Sequence, residues 1–297
     1  MFPNENRGTR RIDHTVLAMP SLEEARAVFE ALGFVVAPNA RHPFGTENAC
    51  VFFADGTFIE PLAVGHRETC EAAAKAGNVF VARDQAHRFR VGAPSLSGLA
   101  FASADADADA ADFAEAGHGG EETLAFERRF KTPAGEDSFV GFRLAFARDL
   151  RAPDVSFFTC QPTHTHKPDR SALVAHPNGA TGTARLVFGE PNPTDFQYYL
   201  QELTGDREAE ADSFGMKLKA GASQIEVASL EALALRYGAT RGPGRGLSFE
   251  GIVLSVRDIS AVRAFAETSG LRAEDRSGRL VVRIGERAFV AFEEQAA

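Results

Sequence analysis

Two segments near opposite ends of the chain share one pattern. IDHTVLAMPSLEEARAVFEALGF, residues 12–34, lies without a gap on FEGIVLSVRDISAVRAFAETSGL, residues 249–271. Val16 and Leu17 recur as Val253 and Leu254, and a glycine is the next-to-last residue of both segments. Each copy predicts an alternating strand, a polar turn and an amphipathic helix. The chain is therefore expected to be built from a repeated unit, because such self-similarity is typical of repeated supersecondary structure.

The first copy carries clear signals for the ends of its helix. Ser21 with Glu24 three residues later is a capping box, and Gly33 suits the left-handed conformation that ends a helix. The following stretch, NACVFFADGTFIEPLA, predicts two apolar strands that turn at Asp55 and Gly56, a pair favoured in tight hairpins. The unit is therefore predicted to be a β-α-β-β-β module.

Weaker copies of the strand and helix begin at Ser97 and Ala180, which gives four modules of about 70 residues each. The run PTHTHKPDRSALVAHPNGATG between the second and third modules is rich in turn-forming residues. We therefore predict two domains, residues 1–168 with modules one and two and residues 169–297 with modules three and four.

Composition and charge restrict the classes of partner. The formal net charge of -9 is spread along the chain and offers no basic face, so a nucleic acid is not an expected partner. The polar start does not resemble a signal peptide, and no apolar run is long enough to cross a membrane. Cys50, Cys70 and Cys160 form no C-x-x-C pair. These features predict a cytoplasmic protein that has neither a nucleic acid nor a membrane as a partner.

The modules and several local motifs resemble the vicinal oxygen chelate superfamily, which includes glyoxalase I, bleomycin resistance proteins and extradiol dioxygenases. In the first module the resemblance rests on IDHTVLAMPSLEEARAVFEALGF, RHPFGTENACVFF and DGTFIEPLA, and after the second module on HPNGATG. It identifies the chain as a glyoxalase-like domain protein and implies an α+β fold. In that fold, four βαβββ modules pair into two cupped, mixed β-sheets with helices outside.

The resemblance also implies a divalent metal in the cup, held by the first and last strands of paired modules. His14 occupies the first-strand position and Glu60 the last-strand position. Strand alternation is compatible with this, since it puts His14 on one face with Ile12 and Val16, and Glu60 on one face with Phe58. A buried carboxylate there needs a pairing partner or a metal. Imidazole with carboxylate suits Zn, Fe, Mn, Co or Ni. A buried polar pair without metal is the alternative.

The other half of such a site is incomplete. The residues that align with His14 are Gly98 in module two and Gly251 in module four, and Cys160 and Gln161 fall nearest the position of Glu60. A ring-cleaving dioxygenase of this length would carry its iron ligands in the second half, where these positions are not filled. This argument disfavours ring-cleaving dioxygenase activity and predicts a degenerate site in modules three and four.

Further residues are candidates for the site. His164 and His166 of THTH could complete the metal ligands, although histidines in a linker are more often solvated. His42, Thr46 and Asn48 enter a strand near the expected pocket, with solvent exposure as the alternative for His42. Besides these, the residues expected to bind substrate are Phe58, Gln161 and His176, and for His176 a hydrogen bond that fixes the linker turn is the other possibility.

Two functions compete. In the first, a metal chelates two neighbouring oxygens of a small molecule and stabilises a developing enediolate, while Glu60 or His42 moves a proton. The activity would be of the lyase, isomerase or oxygenase type. In the second, the cup sequesters an apolar or aromatic molecule without metal, as bleomycin resistance proteins do, typically across a homodimer. A fold kept for interaction alone is a third possibility.

Overall fold

A computed structural model describes residues 8–131, 137–164, 169–241 and 244–295. The N-terminal half forms one mixed sheet, whose strands are β1 (Ile12–Ala18), β2 (Ala40–Arg41), β3 (Thr46–Asn48), β4 (Val51–Phe52), β5 (Phe58–Val64), β6 (Ser95–Ala102), β7 (Leu124–Lys131), β8 (Asp137–Ala147) and β9 (Ser156–Pro162). Their order across the sheet is β2-β3-β5-β1-β6-β9-β8-β7, and β4 pairs with β5.

The C-terminal half forms the second sheet, whose strands are β10 (Ala180–Gly189), β11 (Glu210–Asp212), β12 (Gly215–Ala220), β13 (Ser223–Ala228), β14 (Ser248–Val256), β15 (Ala273–Arg276), β16 (Arg279–Arg283) and β17 (Phe289–Glu294). Its order is β11-β12-β13-β10-β14-β17-β16-β15. Each sheet joins two modules through an antiparallel central pair, β1 with β6 and β10 with β14. The predicted α+β fold of paired βαβββ modules is confirmed.

The helices are α1 (Leu22–Ala31), α2 (Arg67–Lys75), α3 (Val79–Arg90), α4 (Ala106–Glu115), α5 (Gln197–Thr204), α6 (Leu230–Tyr237) and α7 (Ile259–Thr268), with short 3-10 turns at Ser171–Leu173 and Pro193–Phe196. Helices α1 and α7 occupy the same positions within the gapless repeat. Ser21 accepts a hydrogen bond from the Glu24 backbone amide, and Gly33 ends α1 at φ +77. None of these helices is long and apolar enough to span a membrane.

The buried residues form one large core and two smaller ones. The large core is shared by both sheets and includes residues of α1, α4, α5 and α7, such as Phe29, Phe113 and Leu200. The concave face of the first sheet packs against α2 and α3, and that of the second packs against α6. These three helices follow the first module of each pair, so each cup has a helical cover.

A β-bulge interrupts β1 at the site. Ile12 lies opposite Phe101 of β6, but His14 lies opposite Ala100, so Asp13 is the extra residue. Ile12 consequently belongs to the large core and not to the cup. The predicted common face of Ile12, His14 and Val16 is therefore wrong for Ile12, because the bulge reverses the alternation at Asp13.

The two halves meet at the turn between β4 and β5. The Asp55 backbone amide donates to the Thr181 carbonyl at 3.2 Å, and the Asp55 carboxylate accepts from the Thr183 amide at 2.9 Å. The hydroxyls of Thr57 and Thr183 are also 2.9 Å apart. The predicted domain division at residues 168 and 169 falls between β9 and β10, and the independence of the two domains stays a prediction.

Candidate active site in the N-terminal cup

The cup of the first sheet encloses a cavity of about 120 Å³. Its walls are largely aromatic and are formed by Phe44, Phe52, Phe58, Phe80, Phe126, Phe142, Leu144 and Phe158. The polar lining residues are Asp13, His14, His42, Asn48, Cys50, Glu60, Arg128, Cys160 and Arg170. A small apolar cavity with a few convergent polar groups is the usual form of a small-molecule site.

His14 is held in a fixed orientation. Its Nδ1 lies 2.7 Å from Asp13 Oδ2, and its ring stacks on Phe58 with centroids 4.5 Å apart. Phe158 contacts the ring edge-on at 5.6 Å. The carboxylate of Asp13 therefore selects the tautomer with a proton on Nδ1, and the Nε2 lone pair is left for the cavity.

Glu60 is the carboxylate at the centre of the cavity. It is 5% exposed, and its Oε2 lies 3.5 Å from His14 Nε2. Its other oxygen, Oε1, accepts a hydrogen bond from Asn48 Nδ2 at 2.5 Å and lies 3.7 Å from His42 Nε2. The carboxylate thus lies between two imidazoles and is oriented by one amide.

His42 is buried, which decides between the two alternatives left by the sequence. Its Nδ1 is 2.9 Å from the Thr46 hydroxyl, and its ring stacks on Phe44. Burial lowers the pKa of His42 to about 4, although the charge of Glu60 opposes this. His42 is therefore neutral at neutral pH, and Thr46 acts on the site only through it.

His14 behaves in the opposite way. Burial lowers its pKa, but the hydrogen bond that His14 donates to Asp13 and the charges of Asp13 and Glu60 outweigh burial and leave the pKa of His14 above its ordinary value. A cation at this position is therefore favoured, whether it is a proton on the imidazole or a metal ion.

The two cavity cysteines are held as neutral thiols by burial. Burial raises the pKa of Cys50 to about 12 and that of Cys160 well above its ordinary value. Neither is therefore a ready nucleophile. Asp13, His14 and Cys160 nevertheless offer three ligand atoms within 4.8 Å of one another.

Of the two linker histidines, the structure describes His164, which lies outside the cavity. On β7, Phe126 and Arg128 line the cavity, so Glu127 between them points to the opposite face. His164 lies on that opposite face, with Nε2 3.6 Å from Glu127 Oε1. The predicted metal-ligand role of His164 is therefore wrong on geometric grounds, and His166 lies outside the described residues.

Gln161 and His176 also have other roles than the predicted contact with substrate. Gln161 is on the outer face of β9, where its side chain accepts from the Ala106 amide and donates to the Ala104 carbonyl, fixing the start of α4. His176 accepts from the Val35 amide and donates to the Phe52 carbonyl at 2.8 Å. Both ring nitrogens are thereby used, which matches the alternative of a fixed linker turn.

The facing module contributes no ligand at the matching positions. The antiparallel pairing of β1 with β6 is symmetric about Thr15 and Leu99, which lie opposite each other. His14 stands one residue before Thr15 and Gly98 one residue before Leu99, so Gly98 takes the position of His14 in the second module. The parallel pairing of β6 with β9 then makes Phe158 the counterpart of Glu60. The sequence had suggested Cys160 or Gln161 there, so the prediction is shifted by two to three residues.

Sequence reasoning missed three polar residues of the cavity: Asp13, Arg128 and Arg170. Asp13 precedes His14 and would point away from it in a regular strand. Arg128 alternates with Phe126, and this was the only available signal for it. Arg170 lies in the turn-rich run and stacks over Phe52, with its guanidinium carbon 3.9 Å from the ring centroid.

The donors fit a divalent metal. Two ligands about 2.1 Å from one tetrahedral ion stand roughly 3.4 Å apart, close to the 3.5 Å between His14 Nε2 and Glu60 Oε2. Asp13 supplies the carboxylate that commonly orients a metal-bound imidazole. His42, Cys50 and Cys160 are further nitrogen and sulfur donors among the described lining residues.

Comparison with known proteins identifies the family. A family model described as a glyoxalase-like domain matches residues 12–204, from β1 to the end of α5. The chain belongs to this glyoxalase-like family. The resemblance to the vicinal oxygen chelate superfamily is thus confirmed. No curated protein matches the sequence.

Solved structures share the fold across nearly the whole chain. A hypothetical protein from Staphylococcus aureus aligns at TM-score 0.69 with 12% identity, over 96% of this chain and 99% of that one. A mutant of 4-hydroxymandelate synthase from Streptomyces coelicolor aligns at 0.56 with 11% identity, over 97% and 93%. A xylose isomerase-like TIM barrel/4-hydroxyphenylpyruvate dioxygenase fusion protein aligns at 0.57 with 13% identity, over 98% of this chain and 50% of that one.

These neighbours bear on one prediction. The sequence argument disfavoured ring-cleaving dioxygenase activity, but the glyoxalase-like family and the dioxygenase-type fold do not support that exclusion. Identities of 11 to 13% establish the fold alone. Oxygenase chemistry therefore stays beside lyase and isomerase chemistry.

Proposed function

We propose that the glyoxalase-like chain is a metal-dependent enzyme that acts on a small oxygenated molecule in the N-terminal cup. The observation that carries the proposal is the pair of His14 Nε2 and Glu60 Oε2, 3.5 Å apart in a buried, aromatic cavity. His14 and Glu60 would hold a divalent ion, and Zn, Fe, Mn, Co and Ni all suit these donors.

The residues around this pair have separate tasks in the proposal. Asp13 keeps the proton on His14 Nδ1 and so presents Nε2 as a ligand. Asn48 holds one oxygen of Glu60 and leaves the other directed toward His14. Phe58 supports the His14 ring from one side and excludes water from it. The ligands are therefore oriented before substrate enters, which lowers the cost of reorganisation.

A bound divalent ion would polarise the substrate oxygens and stabilise negative charge that develops on them. His42 is the residue best placed to exchange a proton with substrate, because its Nε2 lies in the cavity beside Glu60 and its ring is neutral. Its pKa of about 4 makes it a weak base, which suits a substrate already acidified by its surroundings.

Metal-dependent thermal unfolding tests the proposal. Stripped protein is melted with and without each of the five metals, as wild type and as His14→Gln and Glu60→Gln. His164→Gln is the matched control, because His164 lies on the outer face of the same sheet. A ligand at a hundred times its dissociation constant adds about 2.7 kcal/mol, which is several degrees here.

We expect one metal to raise the melting temperature of the wild type and of His164→Gln, but not of the two cavity variants. The proposal fails if no metal shifts the wild type, or if His164→Gln removes the response. Loss of the response in His14→Gln but not in Glu60→Gln would move the ligand set toward Asp13, His14 and Cys160, which also lie together.

A metal-free binding protein is the second candidate, and one observation favours it. The positions on the facing module that match His14 and Glu60 are Gly98 and Phe158, which offer no ligand. The raised pKa of His14 would then favour an imidazolium paired with Glu60. An aromatic molecule that raises the melting temperature equally with and without metal would support sequestration, for which a homodimer stays a prediction.

A further inference from the structure

Two arginines line the cup without a salt bridge to any described residue. Arg128, on β7, forms its one hydrogen bond within the described residues with Asn48 Oδ1, at 3.3 Å. Its Nε is buried and has no hydrogen-bond partner there. Arg170 stacks on Phe52, and no described side chain pairs with its guanidinium. Buried donors without partners are costly, so a ligand that supplies acceptors would be stabilised by them.

The carboxylates of the same cavity are already engaged. Asp13 bonds His14 Nδ1 at 2.7 Å, and Glu60 bonds Asn48 at 2.5 Å. Burial lowers the pKa of Arg170, and the charge of Arg128 lowers it further, while Asp13 opposes this. Both guanidiniums line the same small cavity, so their like charges oppose each other and an anion bound between them would relieve that repulsion.

The shape of the cavity restricts the anion. Its walls are mostly phenylalanine rings and its volume is about 120 Å³, so a small, flat organic molecule fits better than a hydrated inorganic ion. A planar guanidinium also matches a carboxylate through two parallel hydrogen bonds.

Each arginine lies one side chain away from the reactive pair. Arg128 reaches Glu60 through Asn48, by contacts of 3.3 and 2.5 Å. Arg170 lies 6.0 Å from the centre of the Phe58 ring, which in turn stacks on His14 at 4.5 Å. A molecule with one end bound at the arginines would therefore need about the length of one aromatic ring to bring its other end to His14 and Glu60.

We propose that Arg128 and Arg170 bind the carboxylate of a small aromatic or conjugated acid and direct its other oxygens toward His14 and Glu60. This assignment rests on the proposed function for the reacting end of the molecule, whereas the binding of the carboxylate end is independent of it. The substrate class is thereby an aromatic or conjugated carboxylate and not a neutral carbonyl compound.

Calorimetric titration with benzoate, benzamide and inorganic phosphate tests the assignment. Benzamide has the same size and planarity as benzoate but no charge. The titrations use wild-type protein, Arg128→Gln, Arg170→Gln and the control Arg272→Gln, whose side chain is 88% exposed in the other half. Arg170→Lys keeps the charge but not the planar fork.

We expect wild-type protein and Arg272→Gln to bind benzoate at least about tenfold more tightly than benzamide or phosphate. Each glutamine variant should weaken benzoate roughly ten- to a hundredfold and leave benzamide unchanged, with partial recovery in Arg170→Lys. The comparison of ligands on wild type needs no variant, so it holds even if a variant fails to fold. Equal binding of benzoate and benzamide, tight binding of phosphate, or no binding of benzoate overturns the assignment.

Titration of metal into the same proteins, and of both metal and benzoate into His14→Gln, separates the proposed metal site from the proposed carboxylate site. If Arg170→Gln binds metal like wild type but wild type does not prefer benzoate, the carboxylate assignment fails and the metal site stands. If no metal binds but the preference for benzoate persists in His14→Gln, the proposed enzyme fails and the carboxylate site stands.

Discussion

The two cups of the molecule have the same scaffold and opposite chemistry. In each sheet, a valine of the central strand pairs with a buried glutamate of the module's last strand, Glu60 in one half and Glu226 in the other. Two residues before that valine stands His14 in the N-terminal cup and Arg185 in the C-terminal cup. A potential metal ligand in one half is thus replaced by a permanent cation in the other.

The helical covers complete the difference. Helix α6 brings Arg236 and Tyr237 to the C-terminal carboxylate, where they bond Glu226 at 2.5 and 2.7 Å. In the N-terminal half, α3 contributes Phe80 to the wall of the cavity. Both oxygens of Glu226 accept hydrogen bonds from side chains of its own half. Glu60 accepts one from Asn48 and otherwise faces two imidazoles and the cavity. The comparison indicates that the cover decides whether a cup can bind a ligand.

The largest expected effect comes from breaking the satisfied cup. Glu226→Gln leaves Arg185 and Arg236 without their charge partner, and we expect it to cost about 3 kcal/mol or more in the free energy of unfolding. Glu60→Gln in metal-free protein should cost less than half as much, because Asn48 can still bond the new amide oxygen. Urea denaturation of both variants measures this, and equal costs would contradict the comparison.

Acid should act through the N-terminal cup. The pKa of His42 is lowered from 6.5 to about 4, so the unfolded chain binds its proton first and the folded state is destabilised as pH falls from 6.5 to 4. Protonation of His42 should lower the free energy of unfolding by about 3 kcal/mol once the pH is below 4. The melting temperature should fall less between pH 7 and pH 4.5 in His42→Gln than in wild type. His66→Gln changes an exposed histidine and should show the same fall as wild type.

Two buried tyrosines give a smaller and sharper test. Tyr237→Phe removes the hydroxyl that bonds Glu226 and should cost about 1.5 kcal/mol. Tyr199 is equally buried, but its hydroxyl has no hydrogen-bond partner among the described residues. Tyr199→Phe should therefore be neutral or stabilising in the same denaturation experiment. A cost for Tyr199→Phe as large as that for Tyr237→Phe would show that the bond to Glu226 carries little.

The smallest expected effect is one that should not distinguish the halves. Ser21→Ala removes the cap of α1 and should cost about 1 kcal/mol. Asp258 caps α7 at the matching place in the repeat, so Asp258→Ala should lower the melting temperature by a similar amount. Clearly different changes in melting temperature for the two variants would mean that α1 and α7 contribute unequally to stability.

The fold was predictable because its signals are local and repeated. The cap at Ser21, the glycine at Gly33 and the turn at Asp55 each act within a few residues, and the repeat shows the cap and the glycine a second time at Asp258 and Gly270. The family resemblance pointed to His14, Glu60, His42 and Asn48, and strand alternation agreed with it for His14 and for Glu60 with its neighbour Phe58. All five line one cavity.

The rest of the site depends on contacts distant in sequence. The bulge that places Asp13 beside His14 arises from the pairing with β6, more than eighty residues away, and no pattern within β1 records it. The errors at Gln161 and His164 are errors of strand face, since a shift of one residue turns a side chain to the other side of the sheet. Arg128 lies in a charged segment that on its own predicts a solvated strand.

The turn at Asp55 has a consequence for how the two halves can evolve. It is bonded to Thr181 and Thr183 of β10, and the strand that carries Glu60 begins three residues later. The second sheet therefore helps to set the position of Glu60, although none of its strands lines the cavity among the described residues. Selection on that sheet would preserve the place at which it holds the turn, and its own cup could lose a ligand without loss of the proposed activity.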